Sequence, residues 1–299
     1  MKTPQTEAPE IAKELGLDRL YFKREDLHPY GSHKGRSIPV MIDLKIAEGK
    51  KDFAISSSGN AALAAVRHIQ ERNVNGDGLT LSILVGEKMN PAKRKALMDE
   101  IKDPAITIEE TPRPLQALFR LIQGGGKESL RQSTDDAALV GYTELAMEMD
   151  ATPGLSAVFI GTSSGTTAEA LAKHFIERWQ KDDKDGAGPV PQVHIVQTSG
   201  NSPLAREFSA EESEPEISLA DAIVDKAVNR KGAVVEAIKG TGGTGWIVSN
   251  ADIARAIALL KKEGIAATAN GALGLAGLIR AINKGAHFRG SVVCIVTGK

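Results

Sequence analysis

Residues 156–179 read SAVFIGTSSGTTAEALAKHFIERW. SAVFI is a short apolar run of the length and β-branched content of a buried strand. GTSSGTT is turn chemistry, and from Thr166 the apolar residues recur at helical spacing up to Lys181. A strand, a tight loop and a helix in succession make half of a βαβ unit. Working outward, the same strand pattern appears at Leu20–Lys23, Phe53–Ser56, Leu81–Val85, Val193–Gln197 and Val292–Val296. Amphipathic or alanine-rich stretches fall between them, at Ala61–Arg72, Pro91–Ile101, Leu115–Gln123, Tyr142–Met149, Asp252–Lys262 and Leu273–Asn283. Pro91 suits the first position of a helix, and Ser249–Asp252 has the form of a capping box. The alternation predicts an α/β fold with mostly parallel sheets. Such sheets bind ligands in the strand-to-helix loops at the carboxyl ends of their strands.

The chain has 299 residues, which at about 100–200 residues per domain means one large or two medium domains. Lys and Arg total 37 against 38 Asp and Glu, so the basic excess of a nucleic-acid binder is missing. Cys294 is the single cysteine, which excludes an intrachain disulfide and a multi-cysteine metal site. The first residues, MKTPQTEAPEIAKELGL, lack the apolar core of a secretory signal, and no apolar run approaches 18 residues. The expectation is a cytoplasmic chain without a membrane segment. Thirty glycines against 4% aromatics point to tight backbone turns. Lys181–Pro191 and Ser209–Glu216 read as exposed connections, and no internal repeat is visible.

Two loops carry the chemistry. Ser56-Ser-Ser-Gly-Asn60 lies between a strand and a helix, where hydroxyls and backbone N–H groups at a helix N-terminus offer an anion site or a simple cap. Gly161–Thr167 has the same setting with more hydroxyls and suits a phosphate, although GxxxxGK[ST] is absent. Gly240-Thr-Gly-Gly-Thr-Gly245 spells GxGxxG, but Trp246-Ile-Val follows as a strand, whereas the dinucleotide fingerprint needs a helix there. The six histidines (28, 33, 68, 174, 194 and 287) show no metal-ligand spacing, and no metal site is expected. Cys294 reads as a small buried thiol. Lys34, in the turn-rich Pro29–Arg36 ahead of SIPVMI, is either a solvated charge or a reactive amine facing those loops.

The stretch Tyr21–Arg36 (YFKREDLHPYGSHKGR) resembles the lysine motif of fold-type II pyridoxal-phosphate (PLP) enzymes, the tryptophan synthase β-subunit-like superfamily. Ser57-Ser-Gly-Asn60 resembles the S-x-G-N loop of that superfamily, and Gly161–Thr166 its glycine-rich phosphate cup. Val193–Leu204 resembles the strand and loop that follow the cup, and Val292–Gly298 the final strand, whose hydroxyl meets the pyridine nitrogen. Within the superfamily, the run from Thr3-Pro-Gln to Leu27, Gly274–Leu278 and the terminal Val-Thr-Gly are most similar to threonine synthases.

The resemblance implies two three-layer α/β domains. The larger, PLP-binding domain is formed by 1–45 and 136–299, and a smaller mobile one by 46–135. It implies that Lys34 carries PLP and serves as the catalytic base. Gly161, Thr162, Ser163, Ser164, Gly165 and Thr166 would hold the cofactor phosphate. Asn60 would meet the ring's phenolic oxygen, and Thr297 would face the pyridine nitrogen. Ser57, Ser58 and Gly59, with Asn60, would bind the substrate carboxylate. The implied activity is that of a lyase acting on an amino acid, with threonine synthase foremost. Serine/threonine dehydratase, a β-replacement enzyme such as cysteine synthase, a tryptophan synthase β-like enzyme and a non-catalytic PLP-binding protein remain alternatives. A homodimer is the usual family state. Gly35 stands where the family commonly has Asp, and Ala267-Thr-Ala-Asn-Gly-Ala272 where threonine synthases usually carry Glu and Pro.

Overall fold

The computed structural model describes residues 2–181, 189–208 and 216–298. Of the expected surface connections Lys181–Pro191 and Ser209–Glu216, residues 182–188 and 209–215 lie outside the described residues. The chain divides into two compact units, Met1–His28 with Tyr142–Lys299, and Pro29–Gly141. The first begins with β1 (Gln5–Glu7), α1 (Pro9–Leu15) and β2 (Arg19–Arg24).

The second unit contains the 46–135 stretch and adds a helix at each end. Its elements are α2 (Lys34–Ala47), β3 (Asp52–Ser56), α3 (Asn60–Val74), β4 (Thr80–Gly86), α4 (Pro91–Glu100), β5 (Ile106–Thr111), α5 (Pro114–Gln123), β6 (Glu128–Ser129) and α6 (Ala137–Val140). The four strands form one parallel sheet in the order β5-β4-β3-β6. Strand side chains alternate between faces, and the core follows that period. Phe53, Ile55, Leu81, Ile83 and Val85 pack against Ile38, Met41, Ile42, Val66 and Ile69 of α2 and α3. Ala54 and Leu84 point the other way, onto Leu118 of α5. The result is a helix–sheet–helix sandwich. Asn90 caps α4 by accepting from the Ala92 N–H at 2.8 Å, with Pro91 at the first helical position. The segment SIPVMI is helical, not merely a run beyond a turn. Ile38, Met41 and Ile42 share one buried face of α2, and that burial outweighs the hydrogen bond Pro39 cannot make.

In the first unit the chain resumes with α7 (Thr143–Asp150), β7 (Leu155–Gly161), α8 (Thr166–Lys181) and β8 (Gln192–Thr198). It ends with α9 (Lys231–Gly240), β9 (Gly245–Val248), α10 (Asn250–Lys262), α11 (Leu273–Asn283) and β10 (Ser291–Val296). The sheet order is β1-β2-β10-β7-β8-β9, parallel except for the antiparallel edge strand β1. One face packs on α1, α10 and α11 through Ile11, Ile253, Leu260, Leu275 and Ile279, while α8 packs with α7 and α9. The Ser249–Asp252 capping box forms at the start of α10. Gly240–Gly245 leads from the end of α9 into β9, a helix-to-strand turn. It is pinned by the Thr241 hydroxyl, which accepts from Val193 N at 3.1 Å and donates to Ile238 O at 2.8 Å.

The Lys23–Asp26 run knits the N-terminus into this unit. Lys23 is almost wholly buried, and its ammonium donates to Thr3 O at 2.8 Å and pairs with Glu148. Buried Glu25 accepts the Thr3 hydroxyl at 2.5 Å, and Arg24 grips Asp26 through two bonds at 2.8 and 2.7 Å. Cys294 is buried in β10, and burial pushes its thiol up from its ordinary range, so it is inert packing. Among the described residues no helix is long and apolar enough to cross a membrane, and no cluster of His, Cys, Asp and Glu could hold a metal ion.

His194 on β8 lies stacked on Phe159 at 4.4 Å between ring centres, with Phe288 edge-on. Its Nδ1 faces the Thr244 and Trp246 N–H donors, each at 3.3 Å, so the proton belongs on Nε2, against Gln192 Oε1 at 3.1 Å. Burial pushes its pKa down to about 3. Between that value and the ordinary 6.5, the unfolded chain binds a proton that the folded chain refuses. The stabilisation is therefore complete above about pH 6.5 and is lost at about 1.4 kcal/mol per unit as pH falls below it. Urea midpoints of the wild type should drop between pH 7 and pH 4.5. In His194→Phe the drop should be smaller, and equal drops would contradict the buried neutral ring.

Candidate active site

Each unit gathers polar groups at the carboxyl ends of its parallel strands. In the second unit β3 and β6 are neighbours. β3 runs into Ser57–Asn60 and β6 into a single turn at Gln132–Thr134. Lys34 is the first residue of α2, and its Nζ donates to Gln132 Oε1 at 2.6 Å. Gln132 is buried. The Ser57 hydroxyl accepts the Gly59 N–H at 3.3 Å, Ser58 is exposed, and Asn60 opens α3. A Cβ added at Gly59 would meet nothing within 4 Å, so neither packing nor backbone demands glycine there. What its smallness provides is an open face at the N-terminus of α3. The turn before Lys34 is anchored to that helix. The Tyr30 hydroxyl donates to Glu71 at 2.6 Å and lies 3.2 Å from His68 Nδ1, while His68 Nε2 meets Asp43 at 2.8 Å. Burial, reinforced by Glu71, raises the Tyr30 phenol well above its ordinary range, so it stays protonated.

In the first unit β7 ends at Gly161, and α8 starts at Thr166. The intervening loop is held from inside. The Thr162 hydroxyl accepts the Gly165 N–H at 2.9 Å, and Ser164 Oγ and Thr166 Oγ1 are 3.0 Å apart. Gly165 has φ +80°, and a Cβ there would fall 2.7 Å from Val234 Cγ2. Gln197, fully buried at the end of β8, fixes the loop from behind. Its Nε2 donates to the Thr162 and Ser163 carbonyls at 3.2 Å, and its Oε1 accepts from Leu204 and Ala205 N–H at 2.8 and 3.0 Å. The Ser163 hydroxyl faces away from this arrangement: it donates to Asp225 Oδ2 at 2.8 Å and accepts from Val224 and Asp225 N–H at 3.0 Å. Glu169, wholly buried in the first turn of α8, is compensated by Lys173 at 2.6 Å and Arg230 at 3.1 Å. Beside this loop, past the adjacent strand β10, the buried Thr297 donates its hydroxyl to Asn270 O at 3.3 Å.

A family model described as pyridoxal-phosphate dependent enzyme matches residues 1–298. The chain belongs to this family. Curated relatives include threonine synthases from Methanosarcina acetivorans and Mycobacterium bovis, each 26% identical over 99% of this chain. The alignments cover 74% and 80% of those proteins. Maize serine racemase has the same fold, with TM-score 0.80 at 18% identity over 100% of this chain and 88% of that one. The processed form of threonine deaminase isoform 2 from Solanum lycopersicum superposes equally, with TM-score 0.80 at 19% identity over 100% and 79%. The cofactor of the family is pyridoxal 5′-phosphate.

The residues present fit that group. A phosphate asks for several donors converging on one point. The Thr166, Thr167 and Ala168 N–H groups precede the first carbonyl that α8 can offer them, since its ladder begins with Glu169 N to Gly165 O at 2.9 Å. The Ser164–Thr166 pair uses one of its two hydroxyl protons internally and retains the other. Lys34 bonds to the neutral amide of Gln132 and, among the described residues, forms no ion pair with a carboxylate. PLP chemistry needs such an amine.

The sequence singled out Lys34 and both loops, which the structure sets between a strand and a helix, but not Gln132, Gln197, Asn270 or Asp225. No local signal marks them. Gln132 is 98 residues from Lys34, and Gln197 ends an apolar strand where a polar side chain reads as ordinary. Gln197→Glu turns two donors into acceptors facing carbonyls. It should cost about 2–4 kcal/mol in stability and weaken PLP uptake in an absorbance titration. In thermal melts Gly165→Ala should lose about 1–3 kcal/mol, whereas Gly59→Ala should melt with the wild type. A Gly165→Ala protein of undiminished stability would contradict the packing described.

Proposed function

We propose that the chain is a lyase of the threonine synthase type, converting O-phosphohomoserine and water to threonine and phosphate. The supporting observation is alignment with curated threonine synthases over 99% of the chain. The Lys34, Ser57–Asn60, Gly161–Thr166 and Thr297 motifs follow in the superfamily's order along the chain. When bound, PLP supplies an electron sink for charge developing at the substrate α-carbon.

The chain's own groups do the rest. Lys34 would hold the cofactor through its amine, and the same amine would serve as the general base that takes the substrate α-proton. The Gln132 amide oxygen orients that amine. Ser57, Ser58 and Gly59 hold the substrate carboxylate through N–H and hydroxyl donors, and Asn60 donates to the ring's phenolic oxygen. The cup from Gly161 to Thr166 binds the cofactor phosphate, Ser163 through its backbone. Thr297 would meet the pyridine nitrogen with a hydroxyl, which would hold a proton there less firmly than a carboxylate. That suits elimination or replacement at Cβ or Cγ better than transamination. The same reading makes the protein a cytoplasmic homodimer acting on a small amino acid.

Serine/threonine dehydratase is the second reading. It is favoured by Ala267–Ala272, which lacks the Glu and Pro usual in threonine synthases. The two diverge in their products. With PLP and O-phosphohomoserine, the chain should release phosphate and threonine in equal amounts. Release of 2-oxobutanoate and ammonia from threonine, without phosphate release from O-phosphohomoserine, would replace the first reading with the second. Lys34→Ala should lose the borohydride-reducible visible band and turn over about 10³-fold more slowly or worse.

A further inference from the structure

Residues Asp221–Asp225 form neither helix nor strand, yet side chains from three separate loops tie them down. Before α11, the Asn270 side chain accepts the Ala222 N–H and donates to Asp221 Oδ1, both at 3.0 Å. After β8, Asn201 Nδ2 donates to the carbonyls of Ile223 and Asp225 at 3.1 and 3.2 Å. After β7, the Ser163 hydroxyl takes the N–H groups of Val224 and Asp225 and gives its proton to the Asp225 carboxylate. Ile223 is buried in the core beneath, while Val224 is exposed. The two ends of this segment therefore meet two different parts of the candidate site. Through Asn270, whose carbonyl takes the Thr297 hydroxyl at 3.3 Å, one end reaches the group assigned to the pyridine nitrogen. Through Ser163 the other end reaches the cup assigned to the phosphate.

We infer that Asp221–Asp225 is a positioning strap that sets the spacing between the phosphate cup and Thr297, with Asp221 and Asp225 as its two tethers. The inference rests on the roles proposed above for the cup and Thr297. The strap residues act through Asn270 and Ser163. A cofactor of fixed length needs its two ends registered to each other. A short segment bonded at both ends supplies that register, where two independent loops would each drift. Asn201 holds the strap between its two tethers, so a shift at one end is passed to the other, and the tethers are energetically coupled and not additive.

The test is a double-mutant cycle on PLP binding, read by absorbance titration and by the position of the visible band. Asp221→Ala and Asp225→Ala should each weaken PLP about tenfold. The double variant should bind no worse than the weaker single one. Both single variants should shift the ring band in the same direction, although Asp225 sits at the phosphate end. Asp225→Asn, whose amide oxygen can still accept the Ser163 proton but without the charge, should bind PLP more tightly than Asp225→Ala. Asp221 is exposed, and thermal melts of its variant should match the wild type. Losses that multiply to about a hundredfold in the double variant, or a band that Asp225→Ala leaves unmoved, would overturn the strap. So would an Asp225→Asn variant as weak as Asp225→Ala. A wild-type chain that takes up no PLP would overturn the cup assignment and the strap together. Wild-type binding with additive losses would overturn the strap alone.

Discussion

Helix α11 lies so close to the sheet of the first unit that Gly274 and Gly277 have no room for a Cβ, and the placement of the site loops follows from that approach. A Cβ on Gly274 would fall 2.8 Å from Phe159 O and 3.2 Å from Ile295 O. One on Gly277 would fall 2.2 Å from Val196 Cγ2, and one on Gly161 would fall 2.4 Å from Leu273 Cβ. The helix is thus seated on β7, β8 and β10 at once. Those strands end in the cup, in the loop that carries Asn201, and at Thr297. Leu273, Leu275, Leu278 and Ile279 are fully buried. At about 1.5–3 kcal/mol each, their burial favours the seat, although ordering the chain offsets most of that gain. The glycines fix the distance, and the apolar side chains supply the drive.

Around this seat the interior polar groups are matched, not excluded. Gln197 makes two donated and two accepted bonds in a place with no access to water, which is the full capacity of an amide used in that way. Glu169 sits at the start of α8, where the helix dipole favours a carboxylate, and two cations complete its neutralisation. Lys23 and Glu148 do the same near the N-terminus. Ion pairs this deep gain little net stability over apolar packing, but breaking one leaves a buried charge uncompensated. Their effect is to make alternative arrangements of β2, α7 and α8 costly.

The sequence pattern revealed the elements with strong periods. The β7–α8 stretch, the capping box of α10 and the bounds of α11 stand where the spacing places them. What escaped has physical reasons. α2 begins in a turn-rich run and contains Pro39, so local propensity argues against a helix that tertiary burial imposes. β5 is half-exposed at a sheet edge and carries ITIEET, too polar to signal a core strand. β6 has two residues, below any pattern length, yet it delivers Gln132 beside Lys34. The two site loops were legible because a strand and a helix frame each of them. Their supports were not, because Gln132, Gln197 and Asn270 act through tertiary hydrogen bonds that no local spacing encodes, most of them to residues far along the chain.

Ser163 shows why composition alone misjudges such a loop. Counted as a hydroxyl, it is one more phosphate donor. In the fold its only proton lies on the Asp225 carboxylate, and a hydroxyl has no second one to offer. The donors left for an anion include the Ser163 backbone N–H, the first N–H groups of α8, the Thr162 hydroxyl proton and the remaining proton of the Ser164–Thr166 pair. A carboxylate near that point opposes a dianion, so Asp225 reduces the electrostatic attraction of the cup. A residue placed there for anion affinity would be better neutral. Its charge is explained only by what it holds: a charge-assisted bond is shorter and stronger than a neutral one, and it is used here on a segment that has no secondary structure of its own.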